Sequence, residues 1–497
     1  MAEEKPRIQD DIRKYVSNTD RDIYTVSNLP EEVIAVIFAY VSRSPKSFRD
    51  NISSVIKEEQ LGQERASKFH EKWVLSYGHA SVAEHATVHI GVERVSRLFS
   101  SILELSNEYL SFTEYSQRYQ KPQRGDFYVP DELKDRPVLL KEFIELNNHL
   151  YDIYSNINNR LYEFLRDSVC VPDGVEEKAH LRALEKQAFE DARYVLSLAT
   201  YTNLGMSANA RAIEDALKKL LSSKYPEVRK RAEEIKAEVR FSVPTLVKYA
   251  SENRYIKDTR DEFERMATSI SIPHCAKKLV GSRVKLIDWT GKNMPDAEEY
   301  AIDKILNAVL FEHSVFDLDD LGKEVTRRDK ETKLSLFKKT VEKLGKHDNP
   351  INAFKLICYE AEFVISEACW HQLLRHRKVN WIFKEPTVSY GITVPPNIER
   401  AGLVDLLYEA TSESERLYKK LVDDELPCVA SYVVTNAHNR CVIGSFDLWE
   451  LYHLVNLRMS EGAQWDIRNV IRALTREISK YHPNLIMPAL KRVNDQL

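Results

Sequence analysis

Glycine and proline are sparse in this chain of 497 residues, 14 and 18 in all, which excludes collagen-like and low-complexity architectures. The six cysteines (Cys170, Cys275, Cys358, Cys369, Cys428, Cys441) show no C-x-x-C pair, so neither a zinc knuckle nor a disulfide framework is indicated. An excess of one charge is missing as well. With 72 Lys+Arg against 76 Asp+Glu the formal charge is −4, without the cationic surplus that a nucleic-acid coat needs. Long apolar runs are absent too, since the longest, Val33 to Val41, falls far short of a membrane span. The first residues, MAEEKPRIQDDIRK, mix acids with bases and have no apolar stretch of the signal-peptide kind. What is present is 43% hydrophobic and 30% charged residues, enough for a large core in two or three domains. The expectation is a soluble, cytoplasmic protein with no nucleic-acid or membrane partner.

A faint internal repeat organises the chain. IYTVSNLPEEVIAVIFAYV from Ile23 matches LIDWTGKNMPDAEEYAIDKILNAVLF from Leu286 in order: a β-rich run, a polar turn with Pro, an acidic first helical turn and an apolar-periodic helix. Residues 77–119 correspond to 345–388, each with a His-containing turn, a long helix and a polar-to-extended transition. Residues 191–229 correspond to 429–468. This order predicts two tandem copies, 1–270 and 284–497, joined by a linker at 271–283. The first copy carries extra helical sequence near 135–190. The mixed-charge run at 224–240 reads as a solvated helix face.

Four constellations could carry chemistry. GHASVAEH, Gly78 to His85, is expected to open a helix continuing through ATVHIGVERVSRLF. Ser81 and Glu84 fit a capping box, or equally a helix start that holds a phosphate- or ribose-bearing ligand. His79, His85 and His89 lack metal-ligand spacing, so no metal is expected. In SFTEYSQRY, an extended backbone would put Glu114, Ser116 and Arg118 on one face as a clamp for a nucleoside monophosphate, or merely as the polar face of an edge strand. QLLRHRKVNW follows an expected amphipathic helix, FKLICYEAEFVISEACW. Arg375 and Arg377 would lie about 200° apart on a helix and diverge unless the helix stops there; they could also simply cap it. Finally, FDLWELYHLVNLRMSEGAQWDIR reads as a buried helix delivering Arg458 at its end, where a guanidinium calls for an anionic partner.

Together these pieces resemble the flavin-dependent thymidylate synthase family, marked by R-H-R-x-x-S-x-x-E-x-S-x-R-Y, a preceding G-H-x-S/T-x-x-E-H turn, and a later N-x-R…N-L-R…A-Q-W-E-I-R stretch. The first copy keeps the turn, the run Ser111, Glu114, Ser116, Arg118 and Tyr119, D-A-R at Asp191–Arg193, and Asn209 with Arg211. It has Ser106, Asn107 and Glu108 where R-H-R should stand, and Lys219 or Leu220 for the late Arg. The second copy keeps Gln372, Arg375, His376, Arg377, Asn456–Arg458 and Ala463–Arg468. It has Phe383, Glu385 and Thr387 for the clamp, Asp447 and Trp449 for N-x-R, and a turn reduced to His347, Asn349 and Asn352. The losses are complementary.

The resemblance implies an α/β (α+β) fold in each copy, a central β-sheet packed with long helices, and a homodimer that imitates a family tetramer of single copies. In that family one subunit supplies R-H-R and the late Arg, and a partner supplies the phosphate clamp. One composite site is therefore implied. Arg458 would be its catalytic group, and Gln372, Arg375, Glu114, Ser116, Gln117, Arg118 and Arg193 would bind dUMP. Ser81, Glu84, Arg375, His376, Arg377, Asn209 and Arg211 would bind FAD. NADPH and 5,10-methylenetetrahydrofolate would be co-substrates. A different pyrimidine nucleotide, or binding of flavin and nucleotide without turnover, stays open on the sequence. So does a flavin contact from Ser42.

Overall fold

In the computed structural model, residues 12–40, 45, 47–56, 67, 80–118, 121–270 and 279–494 are described, and they divide between two compact units. Gly78, His79, Ser42 and Tyr119 lie outside the described residues, as does most of the expected linker.

The first unit takes residues up to Tyr115 and from Tyr201 to Pro273. Its sheet contains β1 (Thr87–Ser96), β2 (Ser111–Glu114) and β3 (Tyr201–Asn209), antiparallel in the order β1-β3-β2. On β3, Thr202, Leu204, Met206 and Ala208 are buried and alternate with more accessible residues, the period-two pattern of a strand with one covered face. Ser96 ends β1 and caps the helix Arg97–Leu105: its Oγ accepts from Phe99 N at 2.9 Å and donates to Glu227 Oε2 at 2.6 Å. Asn209 ends β3 and caps the helix Ala210–Leu221 through Ala212 N. Glu227 itself stands at the start of the helix Pro226–Val239.

The second unit takes Ser116–Thr200 and His274–Leu497. Here β4 (Leu279–Val280), β5 (Arg283–Trp289), β6 (Cys358–Ser366), β7 (Asn380–Phe383), β8 (Gly391–Ile392) and β9 (Asn439–Asp447) form two sheets. One is a parallel β4–β8 pair; the other is antiparallel in the order β5-β6-β9-β7. Of the expected linker, Leu279–Val280 and Arg283 belong to strands. Ser366 ends β6 and caps the helix Glu367–Leu373, accepting from Cys369 N at 2.9 Å and donating to Asp466 Oδ2 at 2.5 Å. Asp447 ends β9 and caps the helix Leu448–Arg458. Asp466 opens the helix Trp465–Ser479.

The two units therefore repeat one local plan: strand, serine cap, short helix, edge strand, central strand, capped helix, and a further helix whose first-turn acid receives the serine. Ser111 pairs with Ser207 and Asn380 pairs with Ser445, which sets Glu114 against Phe383 as equivalent positions. Two expectations are corrected. The segment after Ala86 is a strand and not a continuation of a helix, and CYEAEFVIS is a strand before a seven-residue helix. The first segment is rich in β-branched residues, the second carries alternating Tyr359, Ala361 and Phe363, and pairing with β3 or β9 converts the ambiguity into a ladder.

The compact units also cut across the sequence copies. Residues 116–200, in the first copy by sequence, pack in the second unit. The apolar stripe of the helix Pro137–Ser168 (Phe143, Leu150, Ile153, Ile157, Leu161) is buried there, each such side chain stabilising by about 1.5–3 kcal/mol relative to exposure. Glu142 on this helix pairs with Lys420 at 2.5 Å on the helix Val404–Asp423, a contact at the surface that adds little.

Candidate active site

The helix Leu448–Arg458 buries Leu451, Tyr452, Leu454 and Val455, and this packing fixes where its last residue lies. Arg458 donates from Nε to His376 Nε2 at 2.8 Å and from Nη2 to the Gln372 carbonyl at 3.0 Å. An imidazole nitrogen that accepts carries no proton, so the proton of neutral His376 sits on Nδ1, 3.0 Å from Glu450 Oε1. Burial, reinforced by Arg458, lowers the His376 pKa to about 3, and burial raises that of Glu450 to about 7. Burial lowers Arg458 to about 10, with Arg375 and Arg118 adding repulsion, so it remains a cation at neutral pH. Both its partners are neutral groups, and no carboxylate lies within ion-pair range of it among the described residues.

His376 stands just past the helix Glu367–Leu373, with its N–H on the Leu373 carbonyl. The helix has stopped, so His376 turns inward while Arg375 and Arg377 are both exposed. Arg375 Nε also donates to the His371 carbonyl at 3.2 Å, so it caps this helix end, as the sequence allowed. His376, Glu450 and His453 cluster closely enough to suggest a metal. The Arg458 bond argues otherwise, because it leaves the His376 nitrogen facing Glu450 protonated and unable to coordinate.

Several first-copy residues lie in the same unit. Asn436 Nδ2 donates to Gln117 Oε1 at 3.2 Å and to the Arg193 carbonyl at 2.9 Å; Gln117, Arg193 and Asn436 are all buried. Gln464 links the two sets, accepting from Gln372 Nε2 at 3.1 Å and donating to the Tyr194 hydroxyl at 3.1 Å. Tyr194 in turn donates to Asp466 at 2.8 Å and stacks on Trp465. Arg118 follows Ser116, whose Oγ accepts from its backbone N–H, and its guanidinium pairs with Glu190. Arg118, Glu190, Asp191, Trp465 and Arg468 border a cavity of about 330 Å³. Asp191 takes Trp465 Nε1 at 2.7 Å and Asn397 Nδ2 at 2.9 Å, and burial raises its pKa to about 7.

The remaining expected residues lie in the first unit. Strand β2 ends at Glu114, which is buried and accepts from Arg97 at 2.7 Å and Thr202 at 3.1 Å. The extended run through Ser116 and Arg118 is therefore not formed as one strand face. Ser81 and Glu84 are exposed on the short 3-10 turn Ala80–His85, with Glu84 paired to Arg211 at 2.5 Å, while Asn209 is engaged as a cap.

Glu450, Gln464, Tyr194 and Glu190 were not singled out from the sequence. Gln464 stands inside the quoted A-Q-W-D-I-R run, a signal that could have been read. Glu450 gives none, since its partner His376 is 74 residues away.

A model of the thymidylate synthase complementing protein family matches residues 24–245 and 297–484, one segment in each copy. The chain belongs to this family, in a two-copy form. It is similar to a UPF0159 protein of Thermoplasma acidophilum, 25% identical over 479 residues covering 90% of this chain and 93% of the relative. A flavin-dependent thymidylate synthase of Clostridium tetani is 29% identical over 191 residues, 38% of this chain and 72% of the relative. A solved UMP/dUMP methylase from Streptomyces cacaoi, bound with 5-Br dUMP, matches 44% of this chain and 99% of its own at 14% identity and TM-score 0.35.

Proposed function

We propose that this chain is a flavin-dependent enzyme that methylates deoxyuridylate at uracil C5 to give thymidylate, with methylenetetrahydrofolate as carbon donor and NADPH as reductant. The observation that carries this reading is Arg458, a half-buried guanidinium held only by neutral groups, with Arg375 and Arg118 near enough to depress its pKa. Such a cation, already oriented, favours a ligand whose negative charge grows during reaction. In this reading Arg458 faces the pyrimidine carbonyl and stabilises the N3-deprotonated ring. Gln372 and Arg375 flank it. Ser116, Gln117, Arg118 and Arg193 take the phosphate, for which guanidinium pairs and a hydroxyl are suitable donors. Phosphate binding at Arg118 exchanges the Glu190 carboxylate for the ligand. Glu114 acts by fixing Arg97 and the end of β2.

The donor set also suits FAD. Arg375 and Arg377, exposed in the second unit, suit its diphosphate, while Ser81, Glu84, Asn209 and Arg211 are assigned to it by the family resemblance alone. Reduced flavin supplies the hydride when bound, while the protein's part is orientation and electrostatics. His376 serves this reading by holding Arg458. The proposed assembly is a homodimer in the cytoplasm.

The test is mass-spectrometric detection of thymidylate after incubation with FAD, NADPH, methylenetetrahydrofolate and deoxyuridylate, alongside light scattering for the dimer. Product is expected from the native chain and none from Arg458→Ala or Arg118→Ala. Normal turnover in either variant would sink the single composite site. Bound flavin without product would overturn the reaction and leave a flavoprotein for another pyrimidine nucleotide.

A further inference from the structure

In the second unit, the helix Lys330–Val341, the turn after it and the helix Pro483–Lys491 enclose a groove of about 600 Å³. That volume suits an organic molecule of metabolite or cofactor size. Its floor is apolar: the partly exposed Leu334, Val341, Leu344 and Met487 lie over the buried Phe337. The floor is also firmly backed, because the Phe337 ring stacks on Phe354 at 6.0 Å and Phe354 meets Tyr452 edge-on at 5.5 Å.

The mouth of the groove is cationic. Lys338, Lys346 and Lys491 are exposed there, against the single acid Glu342 among the lining residues. None of the three lysines has a carboxylate within ion-pair range among the described residues, although most lysines in ion pairs elsewhere on this surface lie on helices beside an acid. The rim is held in place by Arg492. Its Nη2 donates to the carbonyls of Gly345 at 2.6 Å, Lys346 at 2.8 Å and Asp348 at 2.5 Å, tying the turn that carries Lys346 to the C-terminal helix. Like charges gathered around a low-dielectric cleft repel one another and attract a counter-charge. A small inorganic anion would leave the apolar floor in water, and a neutral apolar molecule would leave the lysines uncompensated.

We propose that this groove binds a soluble organic anion with an apolar body, its ring or chain on Val341, Leu344 and Met487 and its acidic group toward Lys338, Lys346 and Lys491. The site is independent of the reaction proposed above, since none of its lining residues belongs to the Arg458 cluster.

Titration of the full chain with anilinonaphthalene sulfonate tests it, with phenylnaphthylamine, the same aromatic body without the sulfonate, run in parallel. One saturable site is expected for the sulfonate, with the neutral probe bound about tenfold more weakly or worse. The double variant K338E/K491E should weaken the sulfonate by about tenfold or more, whereas K134E, a reversal at an exposed lysine paired with Asp131, should leave it unchanged. All these positions are exposed, so circular dichroism should report a native fold. Equal binding of the two probes, or affinity within about twofold of native in the double variant, would overturn the proposal.

Discussion

Arg458 donates from Nε to Nε2 of His376 at 2.8 Å, and that single bond decides the tautomer of His376, the role of Glu450 and the aim of the guanidinium. A carboxyl, an imidazole and a guanidinium thus form a line in which only the last member is charged when Glu450 holds its proton. Such an arrangement avoids burying opposed full charges and still fixes the cation in one orientation.

If His376 acts by positioning Arg458, then His376→Ala should lower kcat by about 10- to 100-fold, the equivalent of an unmade hydrogen bond of about 1–3 kcal/mol. KM for deoxyuridylate should change much less than kcat. His376→Gln restores an acceptor and should recover part of the loss. Steady-state kinetics on the three proteins checks this, and an unchanged kcat in the alanine variant would assign His376 to packing alone.

Arg118 is paired with Glu190, so a nucleotide phosphate must compete with that carboxylate. Glu190→Gln removes the competing charge while keeping the size of the side chain. Isothermal titration with deoxyuridylate should show tighter binding, by a few-fold to about tenfold, less at high salt. Weaker binding would mean that Glu190 is needed to orient Arg118.

Asp191 gives a pH dependence with a definite sign. Its pKa rises from the ordinary 3.8 to about 7 on folding because it is buried. Between those values the folded chain keeps a proton that the unfolded chain has lost, so this group's contribution to stability falls as pH rises through that window. Asp191→Asn cannot ionise. Its thermal midpoint should therefore drop less than the native one between pH 5 and pH 8. An equal drop in the two proteins would show that Asp191 is charged in the fold throughout.

Asn107 and Thr387 occupy motif positions that have lost their family residues. Asn107 now bonds Asp215 at 2.9 Å, on the helix Ala210–Leu221, and Thr387 faces its neighbour Ser389 at 3.0 Å. Asn107→Ala and Thr387→Ala should each leave turnover within about twofold of native, as expected for substitutions away from a working site. A loss of more than about tenfold in either would reveal a second active centre.

The repeat, the two-copy family membership and the order of the motifs were legible in the sequence, because polar turns, helix-start acids and arginine motifs leave local signatures, whereas the capping serines Ser96 and Ser366 did not stand out. Two strands were not. The apolar residues of TVHIGVERVS and CYEAEFVIS also satisfy a helical stripe, and only the ladder to β3 or β9 decides between them. Glu450 was invisible because nothing in its own neighbourhood marks a residue that bonds 74 positions upstream.

By itself the sequence determined the family and which of its motif residues each copy keeps: complementary losses, an arginine at the end of an apolar run, and no clustered cysteines. The tertiary structure alone decided which groups share an environment. It placed Gln117, Arg118 and Arg193 from one copy in the same compact unit as Gln372, His376 and Arg458 from the other, while Glu114 went elsewhere. The physical reason is burial. The long stripe of the helix Pro137–Ser168 finds its apolar partner beside the second copy, and the motif residues at either end of that segment travel with it.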